Sequence, residues 1–163
     1  MHPVSAVVLD ARIIRRMPSD LQLKAANAFH RSLLKISCGR LGWRLGGMPV
    51  VELTTTGRKS GQSRTVMLTS PLQEGNATVI VASRGGDDHH PAWFLNLRDQ
   101  PDVQAAIGGK PKQAMRARVA TAEERAVLWP KVTAAYKGYG DYQTKTDREI
   151  PLVLLEPADK TTG

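Results

Sequence analysis

Residues 49–69 read PVVELTTTGRKSGQSRTVMLT, and this stretch decides the fold class. Its two arms, residues 49–55 and 63–69, are rich in Val and Thr, which favour extended backbone on a half-buried surface. Between the arms, Gly57 and Gly61 mark a turn, because glycine adopts turn conformations at little steric cost. The stretch therefore predicts an antiparallel β-hairpin.

Outward from this hairpin the pattern continues as short strands with helices beside them. Four more strands are predicted, at residues 77–83, 102–107, 115–120 and 150–155. Residues 91–98 suit a short helix. A longer helix begins at the capping box of Thr121 and Glu124 and ends at about Lys137, stopped by Gly138. Six or so strands, mostly linked as hairpins, predict a mainly β protein, a small antiparallel barrel with peripheral helices.

The N-terminal part has a different texture. Residues 1–47 carry eight Lys and Arg against two Asp, out of a net charge of +8 for the 163-residue chain. Residues 19–37 repeat apolar side chains at three- and four-residue spacing, which predicts an amphipathic helix followed by a glycine-rich linker. This pattern fits both a helix packed on the barrel and a helix on an anionic membrane surface. We assign residues 1–47 to this helix and linker, 48–157 to the barrel domain and 158–163 to a tail.

Cysteine content and hydropathy bear on the compartment. Cys38 is the only cysteine, so neither a disulfide framework nor a cysteine metal cage can form. No apolar run approaches the roughly 20 residues of a membrane span, and the N-terminus lacks the features of a signal peptide. We expect a cytoplasmic protein, peripheral on the inner face of the membrane if the helix contacts lipid. The basic surplus lies on the N-terminal arm rather than in a groove of the barrel, so no nucleic-acid partner is predicted.

The hairpin tip is the first candidate binding segment. Arg58, Lys59 and Arg64 stand there beside hydroxyl side chains and glycine-exposed N–H groups. Arginine offers a rigid fork to a phosphate or carboxylate, and lysine a mobile point charge. A Walker A loop is excluded, since its lysine must follow the second glycine directly. The segment fits an anion site, and a solvated polar turn would have the same composition.

Residues 83–97 (SRGGDDHHPAWFLNL) are the second candidate segment. A predicted strand ends there in a Gly-Gly turn and leads into a helix, an arrangement that can aim backbone donors at an anion. His89 and His90 are adjacent, so their side chains diverge, and the barrel half contains no third histidine; no metal is predicted. Trp93 and Phe94 are more typical of a hydrophobic core than of a cofactor wall, and both alternatives stay open.

The third candidate segment holds all three tyrosines of the chain. Tyr136, Tyr139 and Tyr142 fall within seven residues, at the end of a predicted helix. They fit the rim of an aromatic pocket with phenol donors, and a surface packing cluster is the alternative. There is no nucleophile elbow, and Cys38 has no evident activating histidine, so hydrolytic triads are unsupported.

Four motifs, in order along the chain, carry a resemblance to a known family. They are TTTGRKSGQSR at 54–64, ASRGGDDHHPAWFLNL at 82–97, the 96–103 segment with its Pro-Asp turn, and Tyr-x-x-Tyr-x-x-Tyr-Gln from 136. Together they resemble the deazaflavin-dependent nitroreductases of actinobacteria, over about residues 45–157. The resemblance implies a split antiparallel β-barrel of the FMN-binding type. It also implies a reductase that transfers hydride from reduced coenzyme F420 to quinones, enones and nitroaromatics.

The same resemblance implies a set of site residues. The anionic tail of the deazaflavin would be held by Arg58, Lys59, Ser60 and Arg64. The ring and its linker would be lined by Thr65, Val66, Met67, Leu68, Thr69, Ser83, Arg84 and Gly85. The other side would be closed by Ala92, Trp93, Phe94, Leu95 and Asn96. Tyr139 would lie over the ring as the catalytic donor with Ser83 as its alternative, and Tyr136, Tyr139 and Tyr142 would contact the substrate.

Two positions depart from the family pattern. Phe94 stands where members often have tyrosine, which removes a hydroxyl, and Thr69 stands where members can carry a bulkier aromatic side chain. Two other functions remain open at this point: an FMN-dependent reductase on the same barrel, and a non-catalytic module that binds a cofactor or a lipid surface. The cation cluster suits a long polyanionic tail better than it suits the single phosphate of FMN.

Overall fold

A curled antiparallel sheet of eight strands forms most of the computed structural model, which describes residues 43–158. The strands are β1 (Arg44–Leu45), β2 (Met48–Thr56), β3 (Ser63–Thr69), β4 (Leu72–Glu74), β5 (Ala77–Val81), β6 (Asp102–Ile107), β7 (Gln113–Val119) and β8 (Leu152–Pro157). The helices are α1 (Ala92–Asp99), α2 (Ala122–Ala135) and α3 (Gly138–Gln143), with a 3₁₀ turn at Arg84–Gly86.

The strand order shows that β3 lies at an edge of the sheet, where the barrel is split. Neighbouring strands follow the order β1-β2-β6-β7-β8-β5-β4, and β3 pairs with β2 alone among the described strands. At the end of β3 the buried Ser70 hydroxyl donates to the carbonyl of Val79 on β5, at 2.8 Å. This contact ties the two sides of the sheet together at one end. The fold is therefore the mainly β, split-barrel architecture that the sequence predicts.

Two hydrophobic clusters cover the two faces of the sheet. Val51 and Leu53 of β2 pack with Ile80 of β5 and with side chains of α1. Val79 and Val81 point the other way, into a cluster that includes side chains of α2 and α3. Because both faces of β5 are covered, all five of its residues are buried, which accounts for its uninterrupted apolar sequence.

The helix predictions have mixed outcomes. The capping box of α2 is confirmed: the Glu124 N–H donates to Thr121 Oγ1 at 3.2 Å, and the Thr121 N–H donates to Glu124 Oε2 at 2.9 Å. The predicted stop at Gly138 is wrong, because α2 ends at Ala135 and Gly138 begins α3. The reason is that Tyr136 adopts extended backbone with φ −150°, which separates the two helices.

Strands β1 and β4 have no counterpart among the predictions. Each has only two or three residues, too few to show a periodic pattern. The predicted helix at 19–37 lies outside the described residues, as do most of the N-terminal segment and the last five residues. Within residues 43–158, no helix is long and apolar enough to cross a membrane.

Candidate functional site

A cavity of about 1420 Å³ lies in the split of the barrel. Its walls come from the hairpin tip and β3 on one side, and from the segment after β5 and the start of α1 on the other. The tyrosines at the end of α2 and in α3 complete the lining. The fold therefore brings together three segments that are far apart in the sequence.

The hairpin tip presents three cations at one end of this cavity. Its turn is closed by the Gly61 N–H, which donates to the Gly57 carbonyl at 2.7 Å, and Gly61 takes the left-handed φ of 68°. Arg58, Lys59 and Arg64 are exposed, and in residues 43–158 no carboxylate lies within ion-pairing distance of them. Such unpaired charges can be offered to an anionic ligand.

Asn96 fastens this tip to α1. Its buried side-chain amide accepts a hydrogen bond from the Arg58 backbone N–H at 3.2 Å and donates to Thr55 Oγ1 at 3.2 Å. Both ends of the amide are therefore engaged within the protein. Asn96 was predicted to bind the cofactor; the structure gives it a contact to the backbone of a predicted tail-binding residue.

The Gly-Gly turn after β5 requires its glycines. Gly85 and Gly86 have φ values of 68° and 85°, a region that favours glycine. A Cβ added at Gly86 would lie 2.6 Å from the Tyr142 carbonyl oxygen, so this turn and α3 are in direct backbone contact. The turn thus joins the segment of Ser83 and Arg84 to the helix that carries two of the tyrosines.

Arg148 was not predicted as part of the site, yet it holds the same segment from behind. Its guanidinium donates to the carbonyl oxygens of Ala82 (3.2 Å), Ser83 (3.1 Å) and Asp87 (2.9 and 3.1 Å), and to Nδ1 of His90 (3.2 Å). His90 lines the cavity, and its ring packs on Phe94 with centroids 4.8 Å apart. The only sequence signal was a charged residue shortly before an apolar strand, which does not identify its partners.

The three tyrosines form one aromatic cluster. Tyr136 and Tyr142 meet the ring of Tyr139 edge to face, at 5.3 and 6.2 Å between centroids. Tyr139 is buried, and its hydroxyl lies 3.2 Å from Thr69 Oγ1 on β3. Burial raises the pKa of Tyr139 above its usual value, against a smaller lowering by the Thr69 hydrogen bond, so the phenol is neutral at pH 7.

The predicted site residues line the cavity, with one exception. Phe94 is 2% exposed and belongs to the hydrophobic core, because it faces inward from α1 with its ring 6.2 Å from that of Trp93. Its expected place at the cofactor wall is therefore corrected to a supporting position behind that wall. Within the described residues, no three His, Cys, Asp or Glu side chains cluster as metal ligands.

Comparison with known proteins identifies relatives of the chain. Residues 28–157 match the family model described as F420H(2)-dependent quinone reductase. An F420-dependent quinone reductase of Mycobacterium tuberculosis is 38% identical over 129 residues, which cover 77% of this chain and 86% of the relative. A solved F420-H2 dependent reductase (FDR-A) is 40% identical with a TM-score of 0.57, covering 66% of this chain and 94% of its own. A solved domain-swapped dimer is 36% identical with a TM-score of 0.62, covering 79% and 98%.

Proposed function

This chain belongs to the F420H(2)-dependent quinone reductase family and is an oxidoreductase with coenzyme F420 as its cofactor, and we propose where the cofactor tail, its ring and the substrate bind in the cavity. In this proposal the polyanionic tail lies at the hairpin tip with Arg58, Lys59, Ser60 and Arg64. The deazaflavin ring lies between residues 65–69 of β3 and the segment of Ser83, Arg84 and Gly85. The substrate, a quinone or another activated double bond, lies against the tyrosine cluster.

The fit of the cavity to this cofactor carries the proposal. At about 1420 Å³ it exceeds the 300–1,000 Å³ that holds a typical drug-sized ligand, which leaves room for a long cofactor and a substrate together. The three cations, which have no ion-pair partner within residues 43–158, stand at the hairpin tip where β3 begins, whereas the Tyr139 hydroxyl meets Thr69 at the other end of that strand. One charged end and one aromatic end match a cofactor with a polyanionic tail and a flat ring.

Reduced F420 supplies the hydride, and the residues of the chain supply position and a proton donor. Tyr139 is placed for the second task, because its hydroxyl is neutral at pH 7 and lies beside Thr69 at the cavity wall. A neutral phenol can donate to a substrate oxygen as negative charge develops there, without first losing its proton. Tyr136 and Tyr142 pack edge to face with its ring.

Ser83 is the alternative donor. It is buried, it lines the cavity, and its hydroxyl caps none of the backbone N–H groups of the following turn. Arg148 donates to its carbonyl, which holds the backbone from which the side chain extends. The two candidates therefore lie on different segments of the cavity lining.

The tail site is tested by removing its cations one at a time. Arg58→Ala and Lys59→Ala should each weaken F420 binding by roughly 10- to 150-fold, the value of a hydrogen bond to a charged group. Titrations followed by F420 fluorescence measure this, beside the same titrations with FMN, which should bind much more weakly. Lys110→Ala removes an exposed cation from a different turn and is the matched control. Normal binding by both tip variants, or equal affinity for FMN, would contradict the proposed tail site.

We also propose that the basic N-terminal segment brings the protein to the anionic inner face of the membrane. Its support is the charge of residues 1–47, eight Lys and Arg against two Asp. Each Lys or Arg near an anionic lipid surface contributes about 1 kcal/mol of attraction. Such contact would place the enzyme close to lipid-soluble quinones.

A further inference from the structure

Arg148 lies behind the cavity wall and not in it. The guanidinium is not among the groups that line the cavity, although Ser83, Arg84, Gly85 and His90 are. All five of its hydrogen bonds go to one segment, residues 82–90, which leads from the end of β5 to the start of α1. Arg148 can therefore position a ligand through the shape of that segment, without lining the cavity itself.

The bond to His90 fixes the protonation of the imidazole. A guanidinium has donors and no acceptor, so His90 Nδ1 must accept, and the proton of the neutral ring must then lie on Nε2. The ring is held in this orientation by Phe94 on its face, at 4.8 Å between centroids. Arg98 on α1 is the other cation that acts on His90, while Asp87, Asp88 and Arg84 surround Arg148.

We propose that Arg148 is a positioning residue of the cofactor cavity, which holds segment 82–90 in its binding shape most firmly while His90 is the neutral Nε2–H tautomer. The proposal rests on the proposed function, because the segment it shapes is the one assigned to the deazaflavin ring. It assigns no contact with the cofactor to Arg148.

Acid should open this contact. Protonation of His90 would set an N–H against the guanidinium N–H groups and bring two positive charges together across 3.2 Å. In agreement, burial, then Arg148 and Arg98, lower the pKa of His90 below its usual value. A lowered pKa in the folded state means that the arrangement is intact at neutral pH. The free-energy cost of keeping His90 neutral in this arrangement grows as the pH falls below about 6.5, where a free imidazole takes up a proton.

The first test uses the protein without any cofactor. Long-range proton–nitrogen NMR on nitrogen-15-labelled histidine should show the Nε2–H tautomer for His90, with a titration midpoint below about 6.5. Arg148→Lys, which keeps the charge and loses the guanidinium fork, should bring the tautomer ratio closer to that of a free imidazole. His89→Asn removes the neighbouring exposed histidine and should leave the His90 signals unchanged. A proton on Nδ1, or a His90 tautomer ratio unaffected by Arg148→Lys, would overturn the proposal.

The second test measures F420 affinity against pH. For the unaltered protein, the dissociation constant should rise several-fold between pH 8 and pH 5.5, because protonation of His90 opposes the shape that the segment takes when it binds. His90→Asn offers an uncharged acceptor in place of Nδ1, so the acid rise, measured relative to the variant's own affinity at pH 8, should be lost. An acid rise in His90→Asn equal to that of the unaltered protein would reject the role of His90. If Arg58→Ala loses affinity while His90→Asn keeps the acid rise, only this inference is rejected. Normal binding by Arg58→Ala and Lys59→Ala would instead reject the proposed tail site.

Discussion

Tyr139 combines two properties: it is 6% exposed, and its hydroxyl lies within hydrogen-bonding distance of another hydroxyl at a cavity wall. Because either oxygen can be the donor of that bond, the phenol proton can turn towards a substrate while Thr69 donates to the phenol oxygen. The neighbouring Tyr136, by contrast, is 41% exposed. The cluster thus contains a buried phenol donor, Tyr139, and a more exposed tyrosine, Tyr136, with which it can be compared.

Tyr139→Phe should therefore reduce turnover selectively. It keeps the aromatic wall and removes the donor, so turnover of a quinone or an enone such as cyclohexenone should fall roughly 100-fold. F420 affinity should change little, because the tail contacts lie at the other end of the cavity. Steady-state kinetics and a fluorescence titration separate the two effects. Tyr136→Phe is the matched control, and Ser83→Ala must be measured beside it. Full turnover in Tyr139→Phe with loss in Ser83→Ala would transfer the donor role to the serine.

Between elements, the contact that most affects the proposed site is the one from α1 to the hairpin tip. Asn96→Leu removes both hydrogen bonds of the side-chain amide at similar volume, which leaves the Arg58 N–H and Thr55 Oγ1 without this partner. We expect F420 affinity to fall, with KM for F420 raised and turnover at saturating F420 kept. Thermal unfolding reports any general loss of stability.

A double-mutant cycle with Thr55→Val distinguishes a tether from a merely structural amide. Thr55 contacts Asn96 and lies 2% exposed beneath the tip. If Asn96 acts on the tip from its anchor on Thr55, the two substitutions together should raise the dissociation constant by less than the product of their separate effects. A fall in unfolding temperature with unchanged F420 affinity in both single variants would rule out the tether.

How far each element could be predicted depends on where its causes lie. The capping box of α2 and the hairpin of β2 and β3 are specified by residues within a few positions of each other, so the sequence predicts both. Helix α3 depends on a distant partner, because its backbone packs on Gly86, whereas β4 pairs with its sequence neighbour β5 but has only three residues. Short segments of that kind carry no period of their own.

For the whole molecule, the sequence predicts the division of the cavity into a charged end and an aromatic end only in part. Composition marks the three segments one by one, and each has an ordinary reading as a turn, a core or a surface cluster. Their meeting around one cavity came from the family resemblance, and the fold agrees with it. The roles of Arg148 and His90 were missed, because both depend on hydrogen bonds across about 58 to 66 residues of sequence.

Charge distribution over the whole chain leads to a separate prediction. Deleting residues 1–18 removes Arg12, Arg15 and Arg16 and should weaken binding to anionic vesicles by about 1 kcal/mol for each charge near the surface. Turnover of a water-soluble quinone should be nearly unchanged, since the deletion keeps every lining residue that the structure describes, from Leu45 to Tyr142. Co-sedimentation with vesicles containing phosphatidylserine, compared with neutral vesicles, measures the effect. No sedimentation of the intact protein would contradict the membrane proposal.

The backbone contact between the Gly-Gly turn and α3 has a consequence for which substitutions the protein tolerates. Gly75 and Gly86 both have positive φ, 59° and 85°, so alanine at either position costs about 1 to 2 kcal/mol of backbone strain. Only at Gly86 would the new methyl group also meet another backbone, since nothing lies within 4 Å at Gly75. In a mutational scan scored by quinone reduction, position 75 should accept Ala, Asn and Asp, whereas position 86 should accept no side chain at all. At Gly86 the segment of Ser83 and Arg84 packs directly on the backbone of α3, because glycine has no side chain to hold the two backbones apart.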